Sequence, residues 1–202
     1  MSFQLAVWHE PEPITKEHAE STFRALRSGQ TGAVAAHPGV GAFVERLPEA
    51  RQISPGYALV TVELERSDEV GGAAFEAARE CGLVCYDPQR HLVHNREPLG
   101  AYPGMQMHTG DGMLLVDPDL QLVHDALATM SPQNPFTALV VFGQHFIQTS
   151  PEPGGYELEY KDSVRGVIYR THVEDLKTVQ EAFAEYAVDN RAFMERHDWK
   201  RI

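Results

Sequence analysis

Apolar positions in the first part of the chain fall into short runs and helical stripes. Residues 3–8 form an apolar strand, and Glu10-Pro11-Glu12-Pro13 ends it, because two prolines cannot continue a ladder. Thr15 is the predicted N-cap of a helix with Glu17 in its first turn. Ala19, Phe23 and Leu26 recur there at helical spacing until Gly29 stops it. Val40, Phe43, Val44 and Leu47 mark a second, shorter helix over 38–47. Residues 57–65 alternate Val60, Val62 and Leu64 against Thr61, Glu63 and Glu65, which predicts a strand with one buried and one wet, acidic side. Ser67-Asp68-Glu69 caps a helix carrying Val70, Ala74, Ala77 and Ala78 that ends at Gly82. A buried strand over 83–86 then turns through Asp87-Pro88-Gln89 into a second run, 91–94.

The texture changes over 97–112, EPLGAYPGMQMHTGDG, which reads as a Gly- and Pro-rich loop and sets a domain boundary between 103 and 104. Beyond it, Asp117-Pro118 is read as an N-cap and N1 pair opening a helix with Leu120, Val123, Leu127 and Met130. Strand signals follow at 136–142, 145–149, 156–161 and 164–172. Gly143-Gln144 is expected as a type II′ turn and Asp162-Ser163 as a second tight link. Leu176, Val179, Phe183 and Tyr186 mark an amphipathic helix, and Trp199 is expected to pack its ring back and anchor the tail. The class is α+β, with two mixed lobes at 1–103 and 104–202. The carboxy-terminal lobe is expected to be an antiparallel four-stranded meander flanked by helices.

Composition narrows the function. The chain has 202 residues, 43% apolar and 23% charged, with a formal net charge of −12. That is a globular composition, long enough to bury a core without metal or disulfide staples. No apolar run approaches the ~20 residues of a membrane span. The opening residues lack the basic n-region of a signal peptide, so a cytoplasmic protein is expected. Cys81 and Cys85 are too few for a disulfide framework and are expected as free thiols. A charge of −12 argues against nucleic-acid binding, which rests on phosphate neutralisation.

Few residues combine into a catalytic pattern. His91 and His94 are three apart on a predicted strand, on opposite faces, and Met105, Met107 and His108 lie in a predicted loop with no fourth ligand in register. Cys81 and Cys85 lack the spacing of a redox pair, and Gly71-Gly72 inside a helix reads as a packing contact. One enzymatic pattern survives. Glu157, Glu159 and Lys161 share one strand face, as in metal-dependent nucleases of the restriction-endonuclease class, with Asp119 as the candidate earlier acid. A solvated polar strand face explains the same alternation without chemistry.

Charge distribution is more telling. Residues 97–160 contain no Lys or Arg but eight acids: Glu97, Asp111, Asp117, Asp119, Asp125, Glu152, Glu157 and Glu159. Most of that charge must lie on the surface, where its field would speed encounter with a basic partner. The expected docking residues are Asp111, Asp117, Asp119, Glu152, Glu157 and Glu159 for the association rate, with Tyr102 and Tyr156 as anchors. The acidic strand face at Glu63 and Glu65 is the alternative.

Three segments go beyond composition. The opening FQLAVWHEPEPIT (3–15), the junction ECGLVCYDPQ (80–89) and the YELEYKD…YR…F-x-x-Y…W series (156–199) resemble immunity proteins of bacterial polymorphic toxin systems. These include type VI secretion effector–immunity pairs, which serve antibacterial competition. The resemblance implies a non-catalytic cytoplasmic protein that binds and neutralises a cognate secreted toxin, often a nuclease. It calls for no cofactor, no metal, no nucleic acid and no membrane, and leaves the oligomeric state open. The alternative is the nuclease of Glu157, Glu159 and Lys161.

Overall fold

The computed structural model describes residues 2–202. The chain divides into two compact units, one ending at Pro98 and one spanning Leu99–Ile202. Among the described residues the class is α+β, with six α-helices and two antiparallel sheets of five and seven strands. The boundary falls before 103/104 because the Gly- and Pro-rich run is not a linker. Its Met105 and Met107 are buried, and Gln106–Thr109 is a paired strand.

The first unit runs β1 (Ser2–Trp8), α1 (Lys16–Arg27), α2 (Pro38–Arg46), β2 (Ala50–Ser54), β3 (Tyr57–Glu63), α3 (Ser67–Glu80), β4 (Val84–Asp87) and β5 (Leu92–His94). The sheet order is β2-β3-β1-β4-β5. On one face Ala6, Trp8, Tyr57, Val84, Tyr86 and Val93 meet Ala19, Phe23 and Leu26 of α1. The opposite face takes α3, with α2 beside it. A Cβ at Gly71 would only touch the Phe3 ring at 3.9 Å, so this glycine is not needed for close packing. With both faces covered, Leu5 to Trp8 of β1 read as an unbroken apolar run where a one-sided strand would alternate. Thr15 caps α1 by accepting the His18 N–H.

Several local expectations change. The third strand stops at Glu63, and Leu64–Arg66 forms a 3-10 turn, so Leu64 is exposed and Glu65 has left the strand. The N-cap of α3 is Arg66, with Ser67 already helical. His91 is not on a strand: it adopts φ +53 in the β4–β5 turn, with its Nδ1 3.1 Å from the Tyr86 hydroxyl. Asp87 is fully buried and builds that turn by accepting the Gln89 and Arg90 N–H groups and pairing with the Arg90 guanidinium at 3.0 Å. Burial still raises its carboxyl above the ordinary range. Two side-chain amides act as backbone partners. Gln89 accepts the Gln4 N–H and donates to the Gln4 carbonyl, and Asn95 does the same for Ile14.

The N-cap of α2 is His37, whose Nδ1 accepts the Gly39 N–H at 3.1 Å. Its ring stacks on His9 at 4.0 Å with 2° between the planes, and His9 Nδ1 lies 2.9 Å from the Gly82 carbonyl oxygen. Burial, then His9 and Arg96, hold His37 below the ordinary histidine range. A group whose pKa is lower folded than unfolded contributes stability that is present above its unfolded value and fades as pH falls. The cap should therefore weaken below about pH 6.5. His37→Asn keeps an N-cap acceptor that cannot titrate. It is expected to lose less melting temperature than the parent between about pH 7.5 and 5.5, the range that brackets an ordinary histidine; equal losses would show that His37 does not control this step.

The second unit contains β6 (Gln106–Thr109), β7 (Leu114–Val116), α4 (Leu120–Leu127), β8 (Thr137–Val141), β9 (His145–Glu152), β10 (Gly155–Asp162), β11 (Val167–Val173), α5 (Leu176–Ala187), α6 (Phe193–Arg196) and β12 (Lys200–Arg201). Its sheet has seven strands, where four were expected, in the order β12-β11-β10-β9-β8-β6-β7. The helix-opening cap is Asp119, not Asp117: Asp119 accepts the Leu122 N–H, while Asp117 sits at φ +50 and accepts the Gly104 N–H. Val141 pairs with His145, so Phe142-Gly143-Gln144 is a three-residue connection with Gly143 at φ +76, not a two-residue type II′ turn. Asp162 pairs with Val167, which makes the next connection four residues, Ser163 to Gly166. Trp199 does turn back, donating Nε1–H to the Phe193 carbonyl at 3.1 Å with the rings edge to face, but it is only half-buried.

Candidate functional site

Strand alternation gives the seven-stranded sheet two unlike faces. Leu139, Ile147, Leu158 and Tyr160 point to the buried one. There the Tyr160 ring meets Tyr186 of α5 and Phe193 of α6, and α4 packs against α5. The opposite face, apart from buried Ala138, keeps its side chains in contact with solvent. Register aligns Val140, Phe146, Lys161 and Ile168 in one row across β8 to β11. The next row is Ala138, Gln148, Glu159, Arg170 and Lys200, and a third holds Ser150, Glu157 and His172. One end of this open face is therefore largely apolar and the other charged.

The charged end is a ladder of pairs. Arg170 lies 2.6 Å from Glu159 and 3.1 Å from Glu157, and His172 Nδ1 lies 2.5 Å from Glu152. The Glu159 hydrogen bond holds Arg170 above its ordinary pKa, and Glu152 does the same for His172. Beside the ladder, Glu152, Glu157, Arg170, His172, Asp198 and Lys200 line a groove of about 410 Å³. A stretch without bases in sequence does not stay so in space, since β11 and β12 bring Arg170 and Lys200 alongside its glutamates.

Only three of the eight expected docking residues, Glu152, Glu157 and Glu159, gather here. Asp119 is fully buried as a helix cap and cannot meet a partner. Asp111 is half-buried in the turn after β6, where its carboxylate takes the Thr109 hydroxyl and its N–H donates to Asn134. Asp117 is committed to Gly104. Tyr156 alternates onto the other face, beside Met130, Pro132, Pro135 and Pro151. Tyr102 is also spent internally. It donates to Asp189 at 2.5 Å and accepts from Arg191 at 2.7 Å, whose guanidinium sits over the Tyr102, Tyr160 and Tyr186 rings at 5.1–5.8 Å. His145 completes that cluster at 2.8 Å from the Tyr186 hydroxyl, and burial followed by Arg191 lowers its pKa. The residues not foreseen are Phe146, Arg170 and His172. Phe146 alternating with Gln148 was a readable signal; the other two depend on pairing register.

For metal chemistry, Glu157, Glu159 and Lys161 do share the open face, but both carboxylates engage Arg170 and Asp119 is occupied with Leu122 N–H. Among the described residues no group of three His, Cys, Asp or Glu side chains is placed to hold a metal ion. Cys81 and Cys85 are free thiols, each raised in pKa by burial, which makes them poorer nucleophiles. Among the described residues no helix is long and apolar enough to cross a membrane. No protein-family model, curated protein or solved structure matches the chain, and the open sheet face stands as the candidate site on its geometry.

Proposed function

We propose that the chain is an immunity-type inhibitor, a non-catalytic cytoplasmic protein that neutralises a cognate secreted toxin by direct contact. The observation that carries the reading is the open face itself: an apolar row at one end continues into a charged ladder at the other. An apolar patch bordered by satisfied polar pairs is the anatomy of a specific protein interface. The resemblance of the segments 3–15, 80–89 and 156–199 supplies the class of partner, a basic toxin of the nuclease type. The overall charge of −12 supports fast capture of such a partner.

The test is association kinetics with a candidate toxin domain, taken from the product of the reading frame next to this one. Reversal of two glutamates, Glu157→Lys with Glu159→Lys, is expected to slow association at least about tenfold at low salt and to flatten its salt dependence. Unchanged kinetics with the fold intact would move the docking surface elsewhere. Cleavage of nucleic acid by the chain alone with Mg²⁺ or Mn²⁺, abolished by Glu159→Ala and by Lys161→Ala, would replace this reading with the nuclease one.

A further inference from the structure

The two most exposed large apolar side chains among the described residues are Phe142 and Val164, at 85% and 84%. They lie on different connections, Phe142 between β8 and β9 and Val164 between β10 and β11, which emerge at the same end of the sheet. The Ser163 N–H donates to the Gln144 carbonyl at 2.8 Å and ties the two turns together. Gly143 and Gly166, at φ +76 and +65, set the turn backbones, and a Cβ added at either meets nothing within 4 Å. The linked double turn thus presents two apolar side chains that contribute almost nothing to the packing of their own unit.

This tip is continuous with the apolar row of the open face, Val140, Phe146 and Ile168, and lies at the end away from Glu152 and Glu157. Its charge is also different. Lys161 stands in the apolar row, and Arg165 on the turn has a side chain 76% exposed, with Asp162 alongside at 3.5 Å. β9 and β10 run eight residues each, or about 27 Å, and the seven strands span about 29 Å. The other strands are shorter, so the seven strands together cover roughly 600 Å², and the exposed tip extends this face toward the roughly 800 Å² per partner of a standard protein interface.

We propose that the Phe142–Val164 tip is the anchor of the inhibitor, a convex apolar knob that enters a concave apolar recess on the toxin whose rim carries carboxylates facing Lys161 and Arg165. The inference rests on the immunity reading and specifies how the partner is gripped. The charged ladder steers the encounter, and the tip holds the complex.

The two roles separate kinetically, since rim charges act on association and buried aromatic anchors on dissociation. With the candidate toxin domain from the neighbouring reading frame as the probe, Phe142→Ser with Val164→Ser is expected to speed dissociation at least about 100-fold, as loss of a central anchor does. The association rate should change less than about threefold, and the melting temperature should match the parent. Phe142→Trp should bind, and the emission of the added indole should shift to the blue on saturation. Lys161→Glu with Arg165→Glu should also weaken the complex. If the parent binds but the serine variant dissociates at the parent's rate, the anchor is elsewhere and the immunity reading stands. The same conclusion follows if the emission added by Phe142→Trp stays red in the complex. If the parent does not bind the toxin domain, both fall.

Discussion

Trp8→Ala is expected to be among the most destabilising single substitutions in the first unit. Trp8 lies at the end of the central strand with no exposed surface. Its ring meets Tyr86 edge to face at 6.4 Å, within the cluster that binds α1 to the sheet. Its Nε1–H donates to the Glu10 carboxylate at 2.7 Å, which also holds the chain as it leaves β1 for the proline turn. Truncating a buried aromatic costs about 3–5 kcal/mol, a large share of the roughly 5–15 kcal/mol by which a domain is typically stable. Urea unfolding followed by far-UV circular dichroism should show a much lower midpoint. Trp8→Phe should lie between, keeping the ring contact and losing the hydrogen bond. A Trp8→Ala midpoint equal to the parent's would mean that α1 is held by other contacts.

The second large effect runs against helix propensity. Gly39 and Gly41 both lie in α2, and replacing a helical glycine with alanine ordinarily stabilises by up to about 1 kcal/mol. A Cβ at Gly41 meets nothing within 4 Å, so Gly41→Ala should follow the rule. At Gly39 the same atom would sit 2.1 Å from the Cys81 carbonyl oxygen and 2.8 Å from His37 Nδ1. Neither neighbour is the end of a flexible side chain: one is backbone and the other is the helix cap. The start of α2 must move away from the α3–β4 junction, and overpacking of this kind costs about 1–3 kcal/mol. Thermal melts of the two variants should shift in opposite directions. A shift in the same direction would show that the approach of α2 to Cys81 is loose.

Much of the frame is legible in the chain because it rests on local signals. Thr15 and Gly29 bracket α1, Asp87-Pro88-Gln89 makes the turn between β4 and β5, and Val179, Phe183 and Tyr186 stripe α5. What escapes is what tertiary pairing decides. β2, the edge strand ARQIS, is mostly solvated and carries no apolar alternation to announce it. β6 hides in a Gly- and Pro-rich run because only Met107 and Thr109 face inward. The candidate site follows the same division. Glu157 and Glu159 are readable as one face from their spacing, but Arg170 reaches them only through the β10–β11 register. Asp119 reads as surface charge and is a buried cap, since one carboxylate looks like another until its backbone partner is known. In the 80–89 segment, Cys85, Asp87 and Gln89 build the first unit's frame.

The Gln89 amide has a consequence for how copies of this protein behave when crowded. β4 pairs with β1 only from Ala6 to Trp8, which leaves the earlier part of β1 without a strand on that side. An unfilled strand edge is a template on which another chain can build a ladder, and proteins usually blunt it with charge, proline or a bulge. Here Gln89 occupies the vacant position as a one-residue surrogate strand, donating to and accepting from Gln4 at 3.0 and 2.5 Å. An amide does not titrate and is not screened by salt, so this guard against edge-to-edge aggregation holds across the conditions that switch the protein's charged contacts on and off.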